Sequence, residues 1–150
     1  MLSRGKMINK IRLTIEGNPV GKGRPKFTKA GHPYTPAETR EYENMIKTLY
    51  RLQYRGFKFP KDVPLDLRIR AYYPIPKSDS RALHMKKLKN EIRPHNIRPD
   101  IDNVVKIVCD ALNEMAYHDD TQIVDQQARK FYSDHPRVEV LIKEAEMKGV

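Results

Sequence analysis

The sequence predicts a single α+β domain. Three features predict it: strand-length runs in which apolar and polar residues alternate, two segments with apolar residues at helical spacing, and no internal repeat, low-complexity tract or credible linker to divide the chain. A chain of 150 residues can bury a real core without disulfides or a structural metal. One domain is therefore expected over residues 1–150, with loose ends at about 1–10 and 144–150.

The elements follow in order. Ile11 to Ile15 (IRLTI) alternates as a half-buried strand does. GNPVGKGRPKF, rich in Gly, Pro and cations, reads as a loop. Thr35 is a candidate N-cap with Pro36 at the first helical position, and Tyr42, Met45, Ile46, Leu49 and Leu52 carry that helix to about Tyr54. Leu65 to Tyr73 alternates again and is ended by Pro74 and Pro76. Ser78 is placed to cap a short basic helix over about Ser80 to Lys89, followed by the loop IRPHNIRPD. Near the C-terminus, Gln122 to Tyr132 and Arg137 to Ile142 resemble strands joined at Ser133–Pro136.

Charge narrows the function classes. A net charge of +10 and a pI near 9.7 make a polyanion the leading partner. Gly21 to Tyr34 holds Lys22, Arg24, Lys26 and Lys29 and no acid. Pro76 to Arg98 holds Lys77, Arg81, Lys86, Lys87, Lys89, Arg93 and Arg98 against Asp79 and Glu91. The acids gather between Asp100 and Asp125, and a basic surface around an acidic pocket suits a metal nuclease. No stretch approaches the roughly 20 apolar residues of a membrane span, and the N-terminus lacks the pattern of a secretory signal. The single cysteine, Cys109, cannot form an intramolecular bridge, so a reducing cytoplasm is expected.

The segment RPDIDNVVKIVCDALNEMAYHDD carries the chemistry. At about 100° per residue, Ile101, Val104, Val105, Val108, Leu112 and Met115 share a core-facing side. Asp102, Lys106, Asp110 and Asn113 form a polar stripe beside it. Asp100 and Asp102 flank the helix start, where an extended Asp100 lets both carboxylates converge. Such oxygen-rich sites are what magnesium and manganese prefer. A plainer reading makes Asp100 an N-cap and Asp102 a first-turn acid that stabilises the helix dipole. Of Asp119 and Asp120, only one can face the site from an extended segment, and both can be read as a solvated turn. Lys106 stands where it could offset transition-state charge or pair with Asp102 one turn away. His118 reads as surface and Cys109 as a buried structural thiol.

These motifs resemble the RusA family of Holliday junction resolvases, small nucleases often encoded by prophages. The resemblance rests on DIDNVVK, DALNE and HDDTQIV in this order, and upstream on IEGNPVGKGRPKF and PYTP, so it covers about Ile11 to Ile142. It implies a mixed β-sheet packed with helices. It assigns the essential acids to Asp100, Asp102 and Asp120 and the basic residue to Lys106. It also implies a homodimer that uses Mg2+, with Mn2+ as substitute, to nick opposing strands of a four-way DNA junction during recombination and repair. Lys22, Arg24, Lys26, Lys77, Lys86, Lys87 and Arg98 are the candidate DNA contacts, chosen on charge. Two rival functions share these features: a metal nuclease for forks or flaps, and a non-catalytic nucleic-acid-binding module.

Overall fold

The computed structural model describes residues 8–147. Four strands form one mixed sheet, β1 (Lys10–Glu16), β4 (Leu65–Pro74), β5 (Ile123–Ser133) and β6 (Arg137–Glu144), in the order β1-β6-β4-β5. Two short strands, β2 (Lys26–Phe27) and β3 (Pro33–Tyr34), make a separate hairpin inside the segment expected to be loop. Three helices complete the domain: α1 (Ala37–Tyr54), α2 (Arg81–Leu88) and α3 (Ile101–Leu112), with a 3-10 turn at Asp120–Gln122. The α+β class is as predicted, and the mixed sheet is as the family resemblance implies.

The strand pattern dictates the layering. Leu65, Leu67, Ile69, Ala71 and Tyr73 of β4 are buried, whereas Arg68 and Arg70 are exposed. Their apolar side meets Tyr42, Ile46 and Tyr50 of α1 and Val104, Ile107, Val108, Ala111 and Leu112 of α3. Removing that much apolar surface from water is the main stabilising term. Central β4 pairs antiparallel with β6 and parallel with β5, so β5 and β6 are not neighbours although they follow one another in sequence. Asp134–Pro136 pass over the end of β4 at Pro74, a gap of two strand spacings, or about 10 Å, that three residues can bridge.

Local details depart from the sequence reading. α1 is capped by Pro36, not Thr35: the Pro36 carbonyl accepts from the Arg40 N–H at 3.0 Å, with no side-chain cap. Ser80, not Ser78, caps α2, its Oγ accepting from the Leu83 N–H at 3.2 Å. The buried side of α3 is broader than the narrow face expected and includes Ile107, Cys109 and Ala111, because β4 and β5 flank it as well as α1. Of the ends expected to be loose, Lys10 already pairs in β1, and Ala145 is buried with its N–H donating to the Pro64 carbonyl at 2.8 Å. Residues 1–7 and 148–150 lie outside the described residues.

Candidate nuclease site

The start of α3 is held from three sides. Beneath it, the Tyr73 hydroxyl at the end of β4 donates to the Pro99 carbonyl at 2.5 Å. On β5, Lys130 Nζ donates to the Ile97 carbonyl at 2.6 Å, while the Arg93 guanidinium donates to the Lys130 carbonyl at 2.9 Å. From the other side comes the basic loop, where the Lys22 N–H donates to the Asn103 carbonyl at 2.9 Å. Gly21 is required at that approach: a Cβ there would lie 2.7 Å from Pro99 Cβ and 3.0 Å from Asn103 Cβ. The backbone geometry around Asp100 is therefore fixed by a strand end, an edge strand and a docked loop.

Asp100 occupies the N-cap position with extended backbone (φ −63°, ψ 148°), yet its side chain makes no capping hydrogen bond. Its carboxylate is exposed and so is that of Asp102 in the first turn, and neither forms an ion pair among the described residues. The fold thus uses neither carboxylate, which removes the capping explanation for Asp100. Lys106, one turn beyond Asp102, is likewise exposed and makes no ion pair with it. The salt-bridge alternative for Lys106 is not what forms.

The two acids of the second pair stand in different local roles. Asp119 is occupied: its Oδ1 accepts from the Thr121 N–H at 3.0 Å, and Gln122 completes a capping box. The Thr121 backbone N–H, and after it a side-chain hydrogen bond with Asp120, hold the Asp119 carboxyl below its ordinary range. Asp120 shifts upward, through its hydrogen bond with Asp119, burial, and the charges of Asp119 and Asp110. Among the described residues no group of three or more His, Cys, Asp or Glu side chains is placed to hold a metal ion. The structure sets Asp100 and Asp102 together at the start of α3.

The candidate DNA-binding cations are not equivalent. Arg24, Lys26, Lys77, Lys86 and Arg98 are exposed and free of ion pairs among the described residues. Lys22 instead bridges the helices, 2.8 Å from Glu43 of α1 and 3.1 Å from Asp110 of α3. Burial alone would lower its pKa, but the hydrogen bonds and charges of those two acids outweigh it, and the net shift is upward. Lys87 is buried, 2.5 Å from Asp79, with its ammonium 4.7 Å from the centre of the Tyr132 ring. That pairing makes it a structural cation in this fold. A candidate that charge counting overlooked is Lys130. Its ammonium is tied to the Ile97 carbonyl, three residues before Asp100, and burial lowers its pKa while the charge of Asp100 opposes that shift. The signal was a lysine between Ala128 and Tyr132, in the inward phase of an edge strand.

Cys109 is buried as expected and its thiol is pushed up to about 11, chiefly by burial. His118 is exposed, also as expected.

The molecule is thus a small α+β domain, a mixed sheet covered on one side by two helices, with two exposed carboxylates at a helix start beside a basic loop. The family model described as Endodeoxyribonuclease RusA matches residues 16–143. An uncharacterized protein of Bacillus subtilis (strain 168), YqaN, is 38% identical over 142 residues, covering 89% of this chain and 96% of that protein. The crossover junction endodeoxyribonuclease rusA of Lactococcus phage r1t is 33% identical over 87 residues, covering 57% of this chain and 59% of the phage protein. The chain belongs to the RusA family of endodeoxyribonucleases, the Holliday junction resolvases whose motifs the sequence around Asp100 resembles. It is accordingly a phosphodiester hydrolase of the crossover-junction class. Among the described residues, no helix is long and apolar enough to cross a membrane.

Proposed function

We propose that this chain acts as a homodimer in the cytoplasm, binding four-way DNA junctions and nicking opposing strands symmetrically with the help of Mg2+, or Mn2+ in its place, in recombination and repair. The observation that carries the reading is the unused Asp100 carboxylate, extended at the start of α3 beside Asp102 and flanked by the docked Gly21–Lys26 loop. Two exposed carboxylates, unpaired among the described residues, fit a hard divalent cation, which commonly takes one or two carboxylates and keeps its remaining waters.

Asp100 and Asp102 would hold the ion. Asp120 is proposed as the third acid on its match to the family motif and because Asp119 is taken up by its cap. When bound, such an ion polarises a phosphoryl oxygen and makes a bound water easier to ionise. The chain's own groups do the rest. Lys106, exposed and without an ion pair among the described residues, offsets charge that builds on the phosphate, and electrostatic stabilisation aimed at developing charge is usually the largest catalytic effect. Lys130, its ammonium tied to the Ile97 carbonyl, adds a positive charge to the segment that leads into Asp100. Arg24, Lys26 and Arg98 hold phosphates on either side of the helix start, with Lys77 and Lys86 further along, and contacts of this kind position DNA without reading its sequence. A two-fold dimer suits the task because it presents two equivalent sites to two equivalent strands.

The test is cleavage of an end-labelled mobile junction in magnesium, beside EDTA, a fork and a linear duplex. Junction-selective, EDTA-sensitive nicks at symmetric positions support the proposal. Equal cutting of forks or linear duplex would reduce the junction to one substrate among several, and binding without cleavage under any metal would leave only a binding module.

A further inference from the structure

Two aromatic rings stand out from the basic loop with little folded against them. Phe27 is 66% exposed and Tyr34 47% exposed, although aromatic rings are among the side chains that gain most from burial. Both lie in the β2–β3 hairpin, whose register pairs Lys26 with Tyr34 and Phe27 with Pro33. Directly opposed residues share a face of a two-stranded ribbon, so the two rings project from opposite faces.

The hairpin is ordered and anchored. At its tip, the Thr28 N–H donates to the His32 carbonyl at 2.9 Å, the Gly31 N–H to the Thr28 carbonyl at 2.9 Å, and the His32 N–H to Thr28 Oγ1 at 3.1 Å. At its base the two legs touch: the Gly23 N–H donates to Thr39 Oγ1 at 3.0 Å, and a Cβ on Gly23 would meet Pro36 at 3.2 Å. The first leg is then fixed to α3 through Lys22 and Asn103, one residue past Asp102. From Lys22 to Phe27 the chain can extend at most about 18 Å. The rings are thus presented on a built ribbon close to the candidate site.

The surrounding charge identifies the partner. No Asp or Glu occurs from Gly17 to Ala37, while Arg24, Lys26 and Lys29 are exposed. A partner must therefore be anionic and must also offer flat apolar faces. Nucleic acid satisfies both demands, with phosphates for the cations and base faces for the rings. In a continuous duplex those faces are covered by neighbouring base pairs. At a branch point the stacking is interrupted, and a wedge there costs the least.

We propose that the Lys26–Tyr34 hairpin enters the branch point of its DNA substrate, Phe27 stacking on a terminal base of one arm and Tyr34 on that of the adjacent arm, while Arg24, Lys26 and Lys29 hold the flanking phosphates. On this view the hairpin, rather than the acidic site, distinguishes branched from linear DNA. The proposal rests on the reading of the chain as a nuclease for branched DNA.

The test uses the full chain with a four-way junction carrying 2-aminopurine either at the crossover or in the middle of an arm, in EDTA so that nothing is cut. Binding of the parent changes fluorescence at the crossover and leaves the mid-arm probe unchanged. Phe27→Ala removes most of that change and weakens junction binding roughly tenfold, with linear-duplex binding unaltered, and Phe27→Trp restores both signals. The proposal is overturned if the crossover signal survives in the Phe27→Ala/Tyr34→Ala double variant, or if junction and linear duplex lose affinity equally. It is also overturned if Phe27→Ala shifts the oligomeric state by light scattering, since the ring then serves a protein contact. A parent that binds no branched DNA would instead refute the proposed function, and the hairpin's role with it.

Discussion

Gly21→Ala tests whether the basic loop is docked on α3 as described. The new methyl would lie 2.7 Å from Pro99 Cβ and 3.0 Å from Asn103 Cβ, and both neighbours are held. Pro99 is fixed by Tyr73 and Asn103 lies in the first turn of α3, so neither can give without moving the helix start or the loop. Overpacking of this kind costs about 2 kcal/mol. For a domain of this size that corresponds to a fall in Tm of roughly 4–8 °C. If the loop yields, the Lys22–Asn103 hydrogen bond is lost and the cations of the hairpin leave the neighbourhood of Asp100. Junction binding and cleavage should then fall together, beyond what reduced stability explains at 25 °C. The control is Gly56→Ala after α1, where the space is open and only the positive φ of 87° is strained, costing roughly 1 kcal/mol. Thermal unfolding by circular dichroism and a junction-binding titration suffice. A Gly21→Ala protein that melts within about 1 °C of the parent and binds as tightly would refute the docking of the loop.

The other predictions concern single residues. Arg24→Ala and Lys26→Ala should each reduce the slope of log K against log salt by about 1, whereas Lys22→Ala should change it little, because Glu43 and Asp110 already neutralise that ammonium. Equal slopes for all three would contradict the ion-pair assignment. Lys87→Ala leaves the buried Asp79 carboxylate unpaired and should cost roughly 3 kcal/mol in urea unfolding, with junction affinity per folded molecule preserved. Cys109, with its thiol raised from 9.0 to about 11, should hold about a hundredth of the thiolate at pH 8 in the folded state that it holds unfolded. Disulfide-exchange reagents should accordingly label it only slowly until urea is added, and rapid labelling of the native protein would contradict its burial.

Much of the fold was legible because burial imposes period. The alternation of Leu65, Leu67, Ile69 and Ala71 marked β4, and the 3.6-residue recurrence of Tyr42, Ile46 and Leu49 marked α1. What periodicity does not encode is strand order. β5 and β6 are joined by three residues, yet β4 lies between them, a fact set by packing of the whole sheet. Caps also slipped, since either Thr35 or Pro36, and either Ser78 or Ser80, satisfies the local chemistry. At the site, sequence marked Asp102, Lys106, Asp110 and Asn113 as a polar stripe, with Asp100 at the helix entry. Only structure showed that Asp100, Asp102 and Lys106 form no ion pair among the described residues, while Asp110 pairs with Lys22 and Asp119 is committed to a cap. Cation counting grouped Lys22 and Lys87 with Arg24 and Lys26, because charge runs do not reveal which ammonium has found an acid.

The most direct measurement is cleavage of a supercoiled plasmid that extrudes a cruciform, comparing the parent with Asp102→Asn in magnesium. Coordinated nicking by two equivalent sites converts the plasmid to the linear form, and Asp102→Asn should reduce this on the order of a thousandfold while still shifting the junction in a gel. Cleavage by Asp102→Asn at the parental rate would contradict the role given to the carboxylates at the start of α3.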